Sequence, residues 1–173
     1  MTPIDCEEGR HAEAILDILN DAILHTTALY DYAPRPRESM VAWFAAKRAG
    51  GFPVLGIEDP DGRLLGFATY GSFRHYAAFK YTVEHSVYVH RDHRGRGIGR
   101  CLIKALIERA CGQDLHLLVG ALDAANTASI ALHRALGFRH AGTIAQAGYK
   151  FGRWLDLAFY ELRLPTPEKP TEG

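Results

Sequence analysis

Cysteine is scarce here: the three residues Cys6, Cys101 and Cys111 are odd in number, far apart and without a CxxC pair. That speaks against a disulfide framework and against a zinc site, and makes a reducing, cytoplasmic setting the expectation. Net charge is also missing, with 20 Lys plus Arg against 20 Asp plus Glu. No global field draws the chain to nucleic acid or to an anionic membrane, so any anion site has to be local. No apolar run approaches the roughly 18 residues of a membrane span, and the opening MTPIDCEEGR is acidic where a secretory leader is basic and then apolar. His90 and His93 lie close in sequence but lack carboxylate or cysteine ligands at a suitable spacing, so no metal is expected.

What is present is one domain's worth of patterned chain. Its 173 residues suffice for a single well-buried core, expected over residues 1–164. Residues 165–173, PTPEKPTEG, are rich in proline and charge and read as a disordered tail. In HAEAILDILNDAIL the apolar residues Ile15, Ile18, Leu19, Ala22 and Ile23 recur at helical spacing, and ESMVAWFAAKRAG resumes that pattern after the proline-broken loop HTTALYDYAPRPR. FPVLGIE and RLLGFATYGSF flank DPDG and predict an antiparallel hairpin. Residues 81–89 alternate, with Val83, His85, Val87 and Val89 on one face and Glu84, Ser86 and Tyr88 on the other. From Gly97 onward Ile98, Leu102, Ile103, Leu106, Ile107 and Ala110 mark a helix of about three turns. DLHLLVGAL is a buried strand and NTASIALHRALGF a helix ended by Gly137 in a left-handed cap. The remainder closes as two strands joined near KFGRW. This order predicts an α+β (mixed α/β) fold with a partly antiparallel sheet.

The turn HRDHRGRGIG, between a strand and a helix, offers several backbone N–H groups unobstructed by side chains. Unsatisfied helix N-terminal amides, with Arg94, Arg96 and Arg100 beside them, suit a pyrophosphate; a solvated arginine turn with capping glycines is the plainer alternative. A Walker loop needs lysine after its last glycine, and a dinucleotide fingerprint needs glycine where Arg100 stands, so neither applies. The pattern left is R-x-x-G-x-G, carried by Arg94, Gly97 and Gly99.

That pattern resembles the acetyl-CoA loop of the GNAT superfamily of N-acetyltransferases. The strand TVEHSVYV, the helix NTASIALHRALGF and the hairpin GYKFGRWLDLAFYEL extend the resemblance over about residues 3–164, closest to the phosphinothricin acetyltransferase-like branch. YGSFRHYAAFKYTVEHSVYV is most similar to enzymes that acetylate methionine sulfoximine and methionine sulfone. The resemblance implies the acyl-CoA N-acyltransferase fold, a central mixed, mostly antiparallel sheet flanked by helices. It implies acetyl-CoA as cosubstrate, with the backbone of Val87, Tyr88 and Val89 along pantetheine. Gly95, Arg96, Gly97, Ile98, Gly99 and Arg100, with Arg94, would lie at the pyrophosphate, and Asn126 with Ser129 near pantetheine. Asn126 would serve equally as a helix N-cap.

Glu84 is the general-base candidate, since a free amine attacks a thioester and an ammonium cannot; a strand glutamate facing solvent is the alternative. His133 occupies the position where many superfamily members carry tyrosine. It could protonate the CoA thiolate, assist the base, position CoA, or be structural. His85 falls on the face opposite Glu84 and is expected to meet substrate through its backbone or to be core. The loop GSFRHYAAF could cover an amino-acid acceptor, with Arg74 on its carboxylate, His75, Tyr76 and Ser86 completing a polar pocket, Phe73 and Phe79 as apolar wall, and Tyr30 and Tyr32 opposite. Arg74 as an exposed loop charge is the alternative. The expected reaction is direct transfer to the α-amine of small amino-acid analogues. Acetylation of peptide N-termini and a non-catalytic acetyl-CoA-binding domain are the competing readings. The family also implies a homodimer, with Lys150, Phe151 and Trp154 near the interface.

Overall fold

The computed structural model describes residues 1–172. In chain order the elements are β1 (Ile4–Asp5), α1 (Glu8–His25), α2 (Ser39–Ala49), β2 (Val54–Glu58), β3 (Leu64–Ser72), β4 (Thr82–Val89), α3 (Ile98–Gly112), β5 (Leu117–Asp123), α4 (Thr127–Ala135), β6 (Arg139–Lys150) and β7 (Arg153–Arg163). The strands form one seven-stranded sheet in the order β1-β2-β3-β4-β5-β7-β6. β4 and β5 run parallel and the other neighbours antiparallel. The mixed, mostly antiparallel α+β expectation holds.

Strand alternation divides the interior in two. On one face Tyr70, Val83 and Leu118 pack with Leu102, Ile103 and Leu106 of α3. On the other, Val54, Leu64 and Phe67 pack with the Ile15 and Leu19 stripe of α1 and with Met40 and Phe44 of α2. The predicted hairpin turn is held by Asp59, whose Oδ1 accepts from the amides of Asp61 and Arg63, both at 2.9 Å. Gly137 ends α4 at φ 89°, a backbone conformation that costs other residues a Cβ clash.

One expectation needs correction and one strand adds to the fold: β1, whose two residues show no periodicity, is defined by pairing with β2. α3 has 15 residues, about four turns at 3.6 residues each rather than three. After β7 the chain has no regular element; Thr166 Oγ1 donates to the Leu115 carbonyl at 2.6 Å and Tyr81 Oη to the Thr171 carbonyl at 3.2 Å. Gly173 lies outside the described residues.

The feature that positions a site is where β4 and β5 part. Their pairing runs from Thr82 opposite Leu117 to Glu84 opposite Val119 and stops there. β4 continues to Val89, paired on its far side with β3, and β5 continues to Asp123, paired on its far side with β7. From Glu84 outward the sheet therefore opens into a cleft lined by two unpaired strand edges.

Candidate active site

A cavity of about 180 Å³ occupies the mouth of this cleft, with Glu84, Ser86 and Tyr88 from one face of β4 meeting Asp123 of β5, Asn126 of α4 and Tyr30 of the α1–α2 loop. That volume falls below the few hundred Å³ typical of drug-sized pockets and suits a small acceptor. Glu84 is half-buried there. Burial raises its carboxyl above the ordinary range, and the Arg74 charge pulls weakly the other way. A carboxylate so placed accepts a proton closer to neutrality. Burial also pushes the Tyr88 phenol up to about 12, so it is protonated and can donate.

Asn126 does cap α4: its Oδ1 accepts from the Ser129 amide at 3.1 Å. The side-chain carbonyl is thereby committed, leaving the Nδ2 group as the part free to meet a ligand. One turn on, His133 is 1% exposed. Its Nδ1 lies 2.7 Å from the Ser129 carbonyl, which can only accept, so Nδ1 carries the proton. Its Nε2 is then an acceptor, and the His85 Nε2–H donates to it across 2.9 Å. Burial lowers both imidazole pKa values, and at His85 the neighbouring His133 adds to the lowering. Both nitrogens of His133 are thus engaged within the protein.

His85 lies where alternation placed it, on the α3 face, 5% exposed and with its ring 5.2 Å from that of Phe138. Its side chain is core and does not face an acceptor on the Glu84 side; only Ser86, of its two neighbours in the predicted pocket, shares the Glu84 face. Of the two readings the alternation left open for His85, a backbone contact with substrate or a core side chain, the side chain takes the second.

At the other end of the cleft the glycine turn opens α3. Gly95 and Gly97 have φ 77° and 80°, which side chains disfavour. The first helical hydrogen bond runs from the Cys101 amide to the Gly97 carbonyl, so the amides of Ile98, Gly99 and Arg100 have no partner within the helix. Ile98 is 1% exposed and has only its backbone to offer a phosphate. Gly99 is closely packed: a Cβ there would lie 3.3 Å from Leu132 Cδ2. Arg94 donates to the Val89 carbonyl at 3.2 Å and to Asp21 at 3.4 Å, and Arg96 donates to the Asp92 carbonyl at 3.2 Å. Two of the three arginines expected at a pyrophosphate, Arg94 and Arg96, are thereby held beside the turn. Val87, Tyr88 and Val89 turn their free backbone edge into the same cleft, where an extended chain with amide groups can add as a strand would.

Arg74, His75 and Tyr76 do not line the cavity. They stand on an exposed segment beside it, Tyr76 at 75% exposure. Arg74 donates to its neighbour's carbonyl, Phe73 O, at 2.8 Å and reaches Glu84 by charge alone. The segment leads into a single turn at Ala77–Phe79.

Sequence reasoning missed Asp123, 4% exposed at the end of β5. Its carboxylate accepts from Thr27 Oγ1 at 2.6 Å, Arg153 at 3.2 Å and the Ala125 amide at 2.9 Å. Burial alone would raise its pKa, but these donors outweigh it and hold the group ionised. Its partners come from 96 and 30 residues away, and no local signal marks them.

A seven-stranded mixed sheet opened between two parallel strands, with a helix N-terminus at one end and a half-buried carboxylate at the other, is the architecture of an acyl-group transferase that takes its acyl donor as a thioester. The comparisons with known proteins agree. The acetyltransferase (GNAT) family model matches residues 14–138. The chain is 50% identical over 157 residues to the L-methionine sulfoximine/L-methionine sulfone acetyltransferase of Pseudomonas paraeruginosa, covering 90% of this chain and 91% of that one. It is 42% identical to the L-amino acid N-acyltransferase MnaT of Escherichia coli K12, covering 91% of each. Its structure matches that of a GNAT phosphinothricin acetyltransferase from Sinorhizobium meliloti in complex with acetyl-CoA, at a TM-score of 0.94 and 33% identity, over 99% and 94% of the two chains. The chain belongs to the GNAT family and is an acetyl-CoA-dependent N-acetyltransferase.

Proposed function

We propose that this acetyltransferase acts on the α-amine of small amino-acid analogues, with methionine sulfoximine and methionine sulfone preferred to phosphinothricin. The observation that carries the reading is the small cavity at the point where β4 and β5 part, with Glu84 half-buried in its wall. The names of the relatives supply the acceptor class.

Glu84 takes the proton that the acceptor ammonium must lose, directly or through water. The amine nitrogen then attacks the thioester carbonyl carbon, and backbone donors near Tyr88 stabilise the oxyanion. As the C–S bond breaks, the sulfur leaves with its electron pair and takes up a proton. No cysteine borders the cavity, consistent with direct attack rather than an acyl-enzyme. His133 is better suited to holding α4, and so Asn126 and Ser129, against β4 than to protonating the thiolate, because both its nitrogens are engaged. Asn126, Ser129 and the edge of Val87–Val89 are assigned to pantetheine, and Gly95–Arg100 with Arg94 to the pyrophosphate. Arg74 contributes its charge to the acceptor carboxylate from the rim; His75 and Tyr76 are left outside.

The same reading includes a cytoplasmic homodimer. Its support is an exposed apolar patch on the β6–β7 hairpin, where Ile144, Tyr149, Phe151 and Trp154 are each 47–59% exposed. Lys150 is not part of that patch, being 4% exposed. No helix of the described residues is long and apolar enough to cross a membrane.

CoA release from acetyl-CoA against methionine sulfoximine, methionine sulfone, phosphinothricin, the standard amino acids and short peptides tests the proposal. Selective turnover of the sulfone and sulfoximine is expected. Turnover confined to peptides would overturn the acceptor assignment and spare the thioester site.

A further inference from the structure

Lys150 is the last residue of β6, just before the turn at Phe151 and Gly152, and its side chain points inward. A buried ammonium is costly unless its donors are matched. Here all three are: Nζ donates to the carbonyls of Ile23 at 2.6 Å, Thr26 at 2.9 Å and Leu29 at 2.5 Å. The first lies in the last turn of α1, where the helix dipole presents partial negative charge, and the second just beyond it. Lys150 forms no ion pair among the described residues, so these carbonyls are what holds the cation.

The three carbonyls bracket a short turn. Ile23 and Thr26 precede it and Leu29 follows, so one ammonium fixes where the chain leaves α1 and where it re-emerges. Between and just after them, Ala28, Leu29 and Tyr30 form the cavity wall opposite Glu84. Two other contacts act on the same segment: Thr27 Oγ1 donates to Asp123, and Tyr32 Oη donates to the Tyr149 carbonyl at 2.7 Å. Gly148 brings the β6 backbone against the Tyr30 ring. The wall is thus tied to the β6–β7 hairpin and to β5 as well as to α1, where Thr26 Oγ1 donates to the Ala22 carbonyl at 2.7 Å.

We infer that Lys150 is a positioning residue that sets acceptor specificity by holding the 26–30 wall at a fixed distance from Glu84. The inference rests on the acceptor reading of the cavity. It does not extend to acetyl-CoA, whose assigned residues lie on the glycine turn, the β4 edge and the start of α4, none of them bonded to Lys150.

The test is Lys150→Met, which keeps the apolar stem and removes the charge and donors, assayed beside the wild type with methionine sulfone and acetyl-CoA. The acceptor KM should rise roughly ten- to a hundredfold, the scale expected when a wall remote from the chemistry shifts by about 1 Å. The acetyl-CoA KM should stay within about twofold. Hydrogen–deuterium exchange should quicken over residues 26–31 and remain unchanged in α3 and β5. A folded variant with wild-type acceptor KM, or one whose exchange rises uniformly, would overturn the inference. Should Lys150→Met fail to fold, Tyr32→Phe removes an exposed tie to the same segment and should raise the acceptor KM several-fold; no change there would be equally damaging. If the wild type turns over no small acceptor, the cavity assignment fails, while localised exchange in Lys150→Met still tests the anchor.

Discussion

Gly120→Ala is a one-carbon perturbation whose outcome follows from distances. A Cβ at position 120 would lie 2.9 Å from His85 Cε1, 3.1 Å from His133 Nε2 and 3.3 Å from His133 Cδ2. Carbon contacts relax at about 3.5–4.0 Å, so the rings must retreat by roughly half an ångström or more. They have no room: Phe138 lies 5.2 Å and 5.1 Å from the two rings, centroid to centroid, and Tyr160 6.3 Å from His133. Overpacking of this kind costs about 1–3 kcal/mol. If the 2.9 Å bond between the imidazoles breaks, the unpaired buried nitrogens add about 1–3 kcal/mol. A total of about 2–5 kcal/mol corresponds to a Tm lower by roughly 5–15 °C for a domain of this size. Thermal melts followed by circular dichroism at pH 7.5 read it directly. A second variant checks the cause: with His85→Ala in place much of the collision is relieved, so Gly120→Ala should cost at least about 1 kcal/mol less there. A Tm within about 2 °C of wild type, or an equal cost in both backgrounds, would refute the wedge of two neutral imidazoles over Gly120.

The same pair gives stability a pH dependence. Both histidines have native pKa values lowered by burial, so the unfolded chain binds the extra protons. Stability should be full above about pH 6.5 and fall as pH drops below it, by up to about 1.4 kcal/mol per pH unit for His85, with a contribution of the same sign from His133; denaturant midpoints from pH 7.5 to 5 should show that fall and His85→Phe should reduce it. Arg74→Ala should raise the acceptor KM and, because the Arg74 charge lowers the Glu84 pKa, should move the acidic limb of the kcat/KM profile to higher pH. A shift to lower pH would contradict that coupling. Arg94→Ala should weaken CoA binding by about tenfold or more in calorimetric titration, with the acceptor KM retained; unchanged CoA affinity would remove Arg94 from the pyrophosphate site.

The fold was largely legible because its signals are local. The Ile15–Ile23 stripe, the DPDG turn, the 81–89 alternation and Gly137 each declare an element within a few residues. Alternation also places His85 on the face opposite Glu84. What could not be read was set by distant partners. The His85–His133 bond spans 48 residues and the Lys150 anchor up to 127. Nothing near Lys150 distinguishes it from a surface lysine, and nothing near Asp123 announces three donors. For Arg74, His75 and Tyr76 the carboxylate-binding chemistry was legible, whereas their exposed position beside the cavity was not.

The most direct measurement is the pH–rate profile of acetyl transfer to methionine sulfone by the wild type and Glu84→Gln. The account predicts a wild-type acidic limb above the ordinary carboxylate range, since burial raises the Glu84 pKa. In Glu84→Gln that limb should vanish and kcat should fall about 10²–10⁴-fold, with the acetyl-CoA KM nearly unchanged. A Glu84→Gln enzyme that keeps full turnover at neutral pH would contradict the account at its centre.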